Sequence, residues 1–401
     1  MSSKFEAPRG MSDILPAAQP RRRRVVETME EVCRVYGYRR IDTPGVEDTG
    51  LIVRTSGEGS DVVQKETYTF EDRGGRSLTL RPEGTAPICR AYVEHGLHRE
   101  PQPQKLYTIG PMWRYDRPQR GRYREHWQLS VEAIGSADPA VDAEVIRLYA
   151  EVLARLGLDE WFVAVNSIGD ENCRPAYVER LSVWLDEHDA ELDNEARLKR
   201  ATSPLRVFDV KSERVQAVLR DAPKIGDSLC DACREHFSQV RALLHALGVR
   251  HELVPTLVRG LDYYTRTAFE FKDAEGSVIC GGGRYDGLIE AIGGPPTPGI
   301  GFGAGLERLE LALAVELPQP PIDVFFVVED GGDRTRVQTL LAELRTHGVA
   351  ADTDYAGRSV KGQFTQAGRL GAQTIVVVDA EGPRIGDDRV AFDELVATLA
   401  P

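Results

Sequence analysis

Leu257–Phe271 reads LVRGLDYYTRTAFEF, and its reading decides the fold. The second half alternates, with Thr267, Phe269 and Phe271 against Ala268, Glu270 and Lys272. That is the period of a pleated strand. The first half crowds Arg259, Asp262, Tyr263, Tyr264 and Arg266 around Gly260. Soon after comes Cys280–Gly287, CGGGRYDG. Its three consecutive glycines remove every side chain that could block close approach of a ligand. Arg284, Tyr285 and Asp286 follow at once. A hairpin with a loose turn does not need such a load of Arg, Tyr and Asp. The pair of segments predicts one wall of a polar pocket.

At 401 residues the chain should hold two or three domains. The net charge of −13 argues against coating nucleic acid by bulk charge, though a local basic groove stays compatible with it. No apolar run is long enough to span a bilayer, and MSSKFEAPRG lacks a hydrophobic signal segment. Six scattered cysteines fit a reducing compartment, so the expected location is cytoplasmic.

Two stretches upstream add to the pocket. RPEGT at 81–85 lies between a strand at Ser77–Leu80 and a helix from Ala86. Pro82 stops the strand and leaves Glu83 and Thr85 where backbone amides point outward. Thr85 is either a simple helix cap or, with Glu83, a receiver of a ligand amine. Further on, strands at Leu106–Ile109 and Trp127–Val131 flank Arg114, Arg117, Arg120, Arg122 and Arg124, with Tyr115 and Tyr123 between them. Guanidinium forks match phosphate oxygens, so an Arg-rich loop between two strands predicts phosphate binding. Arg21–Arg24 reads instead as a solvated helix start or a subunit contact.

In TPGIGFGAGLERLELAL at 297–313, Gly299, Gly301, Gly303 and Gly305 alternate along a strand that enters a helix at Leu306. The pattern is not the dinucleotide fingerprint. It would let a planar group lie flat, with Arg308 placed for a polyphosphate tail. From Gly169 to about Gly248 the chain turns charged and helical. Cys173, Cys230 and Cys233 lie there with His236 the nearest fourth ligand, and an incomplete set reads as helix-surface thiols rather than metal. LPQPP at 317–321 is a linker, and strand-helix alternation beyond it predicts a small α/β domain. Its Arg358, Lys361 and Arg369 suit either RNA or ordinary solvation.

Together these stretches resemble the histidyl-tRNA synthetases, a family of class II aminoacyl-tRNA synthetases. LVRGLDYY at 257–264 and GGGRYDGLI at 281–289 look like its two histidine signatures. GPMWRYDRPQRGRYRE at 110–125 resembles motif 2, and GFGAGLERL at 301–309 resembles motif 3. RPEGT at 81–85 and GRSVKGQF at 357–364 also match. The resemblance implies an α+β fold. An antiparallel-sheet catalytic domain would span 1–168 and 256–316, with a helical insertion at 169–255 and an α/β anticodon-binding domain at 322–401. It implies a homodimer that uses ATP with Mg²⁺, histidine and tRNA(His), with no resident metal.

The resemblance also implies roles for individual residues. Arg114 and Arg259 would be catalytic, gripping the α-phosphate from opposite sides. Histidine would meet Glu83, Thr85, Arg114, Gln128, Glu132, Arg259, Tyr263, Tyr264 and Tyr285. ATP would meet Arg114, Asp116, Arg122 and Arg308, and tRNA would meet Arg117, Gln119 and Arg120. The chain departs from the family pattern at Asp116, where Glu is common, at EHWQ (125–128) and at Ser130, where Gly is often seen. Three rivals are a catalytically silent regulatory subunit of ATP phosphoribosyltransferase, a class II synthetase for another amino acid, and an RNA-binding module without chemistry. The intact arginines and the paired signatures argue against each.

Overall fold

Strand β1 (Arg39–Arg40) follows helix α1 (Gln19–Val35), and a small sheet comes next, formed by β2 (Val46–Asp48), β3 (Tyr68–Glu71) and β4 (Ser77–Leu80) around α2 (Thr49–Ser56). Helix α3 (Thr85–Glu94) leads to the long pair β5 (Gln104–Trp113) and β6 (Glu125–Ile134), then α4 (Pro139–Arg155) and β7 (Trp161–Ser167). Helices α5 (Arg174–Glu187), α6 (Asn194–Thr202), α7 (Glu213–Leu219) and α8 (Asp231–Ala246) intervene before β8 (His251–Leu253). The chain returns through β9 (Thr265–Asp273), β10 (Val278–Arg284), α9 (Leu288–Ala291), β11 (Gly299–Gly305) and α10 (Leu306–Ala312). This computed structural model describes residues 5–57, 60, 62–261, 263–313 and 317–400. Asp262, expected in the pocket wall, lies outside them. The chain divides into two units, 1–316 and 317–401.

The main sheet of the first unit runs β1-β5-β6-β11-β10-β9-β7-β8. Pairing is antiparallel from β5 through β7, with β1 and β8 added in parallel at the edges. Strand alternation divides the labour of its faces. On one face Leu129, Val131, Ala133, Phe269, Phe271 and Phe302 form the core with Val25 and Met29 of α1 and Val145 and Tyr149 of α4. Gln128, Ser130 and Glu132 alternate with the β6 core residues and must face the other way. The functional face is therefore set by the same period that builds the core.

Two sequence expectations need correction here. Arg22 of the Arg21–Arg24 run is buried rather than solvated. It lies 3.3 Å from Glu310 and 3.7 Å from Glu307, and its guanidinium sits over the Trp127 ring at 4.7 Å. The expected insertion at 169–255 also extends too far. A separate apolar core runs from Cys173 to Cys233 with Val258, whereas Phe237, Val240 and Leu244 of α8 belong to the main core.

In the second unit β12 (Val324–Val328), α11 (Arg334–Thr346), β13 (Ala351–Thr353), α12 (Val360–Arg369), β14 (Thr374–Asp379), β15 (Gly382–Ile385), β16 (Asp388–Arg389) and α13 (Leu395–Leu399) follow in order. The sheet order is β13-β12-β14-β15-β16, parallel around β12 and antiparallel beyond β14. Gln363 of α12 satisfies the end of β12, accepting from Val328 N at 2.8 Å and donating to Val328 O at 3.0 Å. Arg358 is held by Asp354 at 2.5 Å.

Candidate active site

The site starts at the turn between β4 and α3. Buried Arg81 fixes that turn by donating to Pro111 O and Thr43 O, each at 3.0 Å. The Glu83 carboxylate then accepts from Thr85 N at 2.6 Å and Ala86 N at 2.8 Å. Glu83 thus caps the helix, a task that spacing alone offered to Thr85. The Thr85 hydroxyl is freed to donate to Glu132 Oε1 at 2.6 Å, and the Tyr285 hydroxyl donates to Glu132 Oε2 at 2.5 Å. Glu132 is completely buried with no cation beside it among the described residues. Burial pushes its carboxyl up to about 8, against the pull of the two hydroxyls.

The alternating glycines of β11 serve a second purpose beside the flat floor expected of them. Gly301 pairs with Glu132 and Gly303 with Ser130 across the β11–β6 register. A Cβ on Gly301 would run into Glu132 Oε2, and one on Gly303 would meet Gln128 Nε2 at 2.6 Å. These positions make room for the polar face of β6. Gly303, Gly305 and Gly281 do line the cleft above it.

Four guanidinium groups reach this cleft from different segments. Arg114 donates to Pro82 O at 2.8 Å, and Arg308 donates to Gly121 O at 3.3 Å. Among the described residues neither has a carboxylate within ion-pair reach. Burial and the neighbouring Arg122 make Arg308 hold its proton less tightly than an ordinary arginine does. Arg122 is steadied by Asp116 at 3.0 Å. Asp116 is therefore a brace in the loop, and its backbone carbonyl also takes the Arg124 Nε at 3.2 Å. Arg124 stacks on Tyr115 at 3.7 Å.

Arg259 is paired with Glu270 of β9. Burial opposes its charge most strongly, but Glu270 together with Tyr264, Cys280 and Tyr263 outweighs burial, and the proton is held more firmly than usual. Its Nε has no hydrogen-bond partner among the described residues. Gly281 lies so close to the guanidinium that any Cβ would strike it. The Tyr264 ring is 5.9 Å from Arg259, and Tyr263 packs on Tyr264 at 4.5 Å and on Tyr285 at 6.0 Å.

The cleft is lined by Glu83, Thr85, Arg114, Asp116, Arg122, Gln128, Arg259, Tyr263, Tyr264 and Arg308. Glu132 and Tyr285 lie buried beneath it, linked through Thr85. Arg117, Gln119 and Arg120 do not line it and stand exposed on the loop. Arg284, Arg266 and Asp286, expected in the same wall, are elsewhere. Arg284 is fully buried against Asp142, and Arg266 faces Asp170 at 3.4 Å and Asp286 at 3.9 Å. Sequence reading missed Glu270, His126 and Glu307. Alternation in β9 already put Glu270 on the polar face, which was the available signal. His126 lines the cleft with its Nδ1 unpartnered among the described residues, and burial with the nearby Arg114 lowers its imidazole to about 3, so it stays neutral. Glu307 lines the cleft and accepts from Trp127 N at 2.8 Å.

A cleft into which four guanidinium groups reach, two of them without a carboxylate partner among the described residues, above a buried hydroxyl–carboxyl chain suits a polyanion on one side and a small polar ring on the other. Comparison with known proteins gives the family. The family model for histidyl-tRNA synthetase matches residues 10–309. A histidine–tRNA ligase of Halothermothrix orenii is 47% identical over 94% of this chain and 92% of its own length. One of Moorella thermoacetica is 49% identical over 93% of this chain and 90% of its own. The crystal structure of apo S. aureus histidyl-tRNA synthetase superposes with a TM-score of 0.81 at 36% identity, covering 99% of this chain and 100% of that one. The chain belongs to the histidyl-tRNA synthetase family.

Proposed function

We propose that the cleft activates histidine with ATP to histidyl-adenylate and then passes the histidyl group to the 3′ end of tRNA(His). The convergence of Arg114, Arg259 and Arg308 on one cleft, over the Thr85–Glu132–Tyr285 chain, carries the reading. In the first step a carboxylate oxygen of histidine attacks the α-phosphorus and pyrophosphate leaves. Negative charge gathers on the phosphoryl oxygens, so the reaction needs positioned cations rather than a protein nucleophile. Arg259 and Arg114 meet that charge, and Arg308 with Arg122 holds the outer phosphates.

The substrate ammonium falls to Glu83 and Thr85, and its carboxylate to Gln128. Tyr263, Tyr264 and the Glu132–Tyr285 pair read the ring. Neutral imidazole offers one donor and one acceptor, so a site that pairs both rejects rings lacking either. Glu307, a carboxylate that lines the cleft, is fitted to hold Mg²⁺ that arrives on ATP, and the ion would draw off phosphate charge. Exposed Arg117, Gln119 and Arg120 are free to meet tRNA. Family membership supports a homodimer, an anticodon-binding role for the second unit and a cytoplasmic location. No helix among the described residues is long and apolar enough to cross a membrane.

ATP–pyrophosphate exchange with the full chain tests the proposal. Exchange should depend on histidine and on no other amino acid. Exchange driven by glycine, threonine or proline would defeat it, as would no exchange at all, which is the behaviour of a regulatory paralogue.

A further inference from the structure

At the neck of the helical module, outside the residues that line the cleft, four potential ligands meet. Asp170, Cys173, Cys230 and Cys233 bring one ligand atom each to within 4.8 Å of one another. The expectation of helix-surface thiols with His236 as the nearest fourth ligand is overturned. Cys173 and Cys233 are buried, and His236 is bound to Asp142 at 2.9 Å. The fourth group is a carboxylate that spacing gave no reason to consider.

The arrangement has the features of a mononuclear site rather than of packed thiols. Asp170 Oδ1 is 3.5 Å from Cys173 Sγ and 3.9 Å from Cys230 Sγ. A tetrahedron with ordinary zinc–sulfur and zinc–oxygen bonds has edges of ~3.6–3.8 Å. Cys173 and Cys230 are the N-cap residues of α5 and α8, and neither side chain caps its helix. Two helix N-termini thus meet at one point. The other oxygen, Asp170 Oδ2, faces Arg266 at 3.4 Å, which fixes the carboxylate with Oδ1 toward the sulfurs. Gly169 has φ +67°, and a Cβ there would approach Cys173 Sγ to 2.8 Å, so the turn leaves space for the thiol.

We infer that Asp170, Cys173, Cys230 and Cys233 bind one structural Zn²⁺ that closes the neck of the helical module. Cys173 opens the module's apolar core and Cys233, in the first turn of α8, lies near its far end in the chain, so one ion ties both to the strand exit at β7. Ile168 and Gly169 there exchange backbone bonds of 2.7 Å with Arg266 at the start of β9. The ion would secure the module against the same strand that carries Glu270. All four positions are filled by protein, which marks a structural rather than a catalytic metal.

The full chain, purified in reductant without chelator, should carry about one Zn²⁺ per chain by elemental mass spectrometry. Stripped protein titrated with Co²⁺ should develop thiolate-to-cobalt charge-transfer absorption saturating at one equivalent, and Zn²⁺ should abolish it. Cys173→Ser with Cys230→Ser should lower zinc content at least tenfold, while His236→Ala should keep it. The cobalt titration uses unaltered protein, so misfolding of a cysteine variant does not blunt the test. Zinc below a tenth of an equivalent after loading, or no charge-transfer band, overturns the inference. So does a disulfide among these cysteines in protein kept under reductant.

Discussion

Arg259 and Arg284 come from the two glycine-flanked signatures, and both pair with a carboxylate inside the main sheet unit. Only one is built for a ligand. Arg284 donates to Asp142, to Ser136 O at 2.9 Å and to Asp286 at 3.1 Å, and Asp142 also receives His236. Every group in that knot is answered by protein. Among the described residues Arg259 has one ion-pair partner, Glu270, and an Nε without a hydrogen-bond partner, with a cleft before it. A satisfied guanidinium holds the fold, whereas an under-satisfied one is reserved for charge that arrives later.

The largest effect should come from Arg284→Ala. It leaves buried Asp142 with His236 but without its guanidinium, and losing one partner of a buried pair costs about 3–5 kcal/mol. Urea unfolding measures it, and Arg284→Met combined with Asp142→Leu should restore most of the loss. A cost under ~1 kcal/mol in the single variant would erase the distinction drawn above.

Glu132 extends the comparison to a buried acid with no cation. Its folded carboxyl titrates at about 8 against an ordinary value of 4.5. Between those values the folded chain keeps a proton that the unfolded chain has released, so stability falls as pH rises through that window. Glu132→Gln should remove that slope, gaining on the order of a few kcal/mol over wild type from the bottom of the window to the top. Denaturation at both ends checks it, and parallel curves for the two proteins would refute it.

Arg259→Ala should leave the thermal midpoint in place and slow histidine-dependent exchange by roughly a hundredfold or more, about 3 kcal/mol. An unchanged rate would assign Arg259 to structure alongside Arg284. Smallest of the set, Arg308→Gln removes one charged hydrogen bond to phosphate, worth about 1.5–3 kcal/mol. It should raise the KM for ATP at least tenfold and leave that for histidine alone. Equal shifts in both would place Arg308 elsewhere in the reaction.

Much of this was legible in the chain. The alternation after Tyr264, the glycines of β10 and β11 and the Arg-rich loop gave the sheet and the segments of the cleft, because periodicity and glycine report local geometry. Long-range partners were not legible. Nothing near Arg284 announces Asp142, and nothing near Cys230 announces Asp170, since both pairs close only when distant strands and helices meet. Arg22 was misread for the same reason, its acidic partners lying on α10. Resemblance placed Glu83 beside the substrate amine, but only the fold reveals that it caps α3 first.

The acid beneath Thr85 and Tyr285 has a consequence for the proton balance of recognition. At neutral pH the empty pocket already holds a hydrogen ion, which a bound neutral ring can share without drawing on the solvent. Above about 8 that ion must be taken up from solution. Heats of histidine binding measured in buffers of unlike ionisation enthalpy should therefore coincide at neutrality and spread apart in alkali.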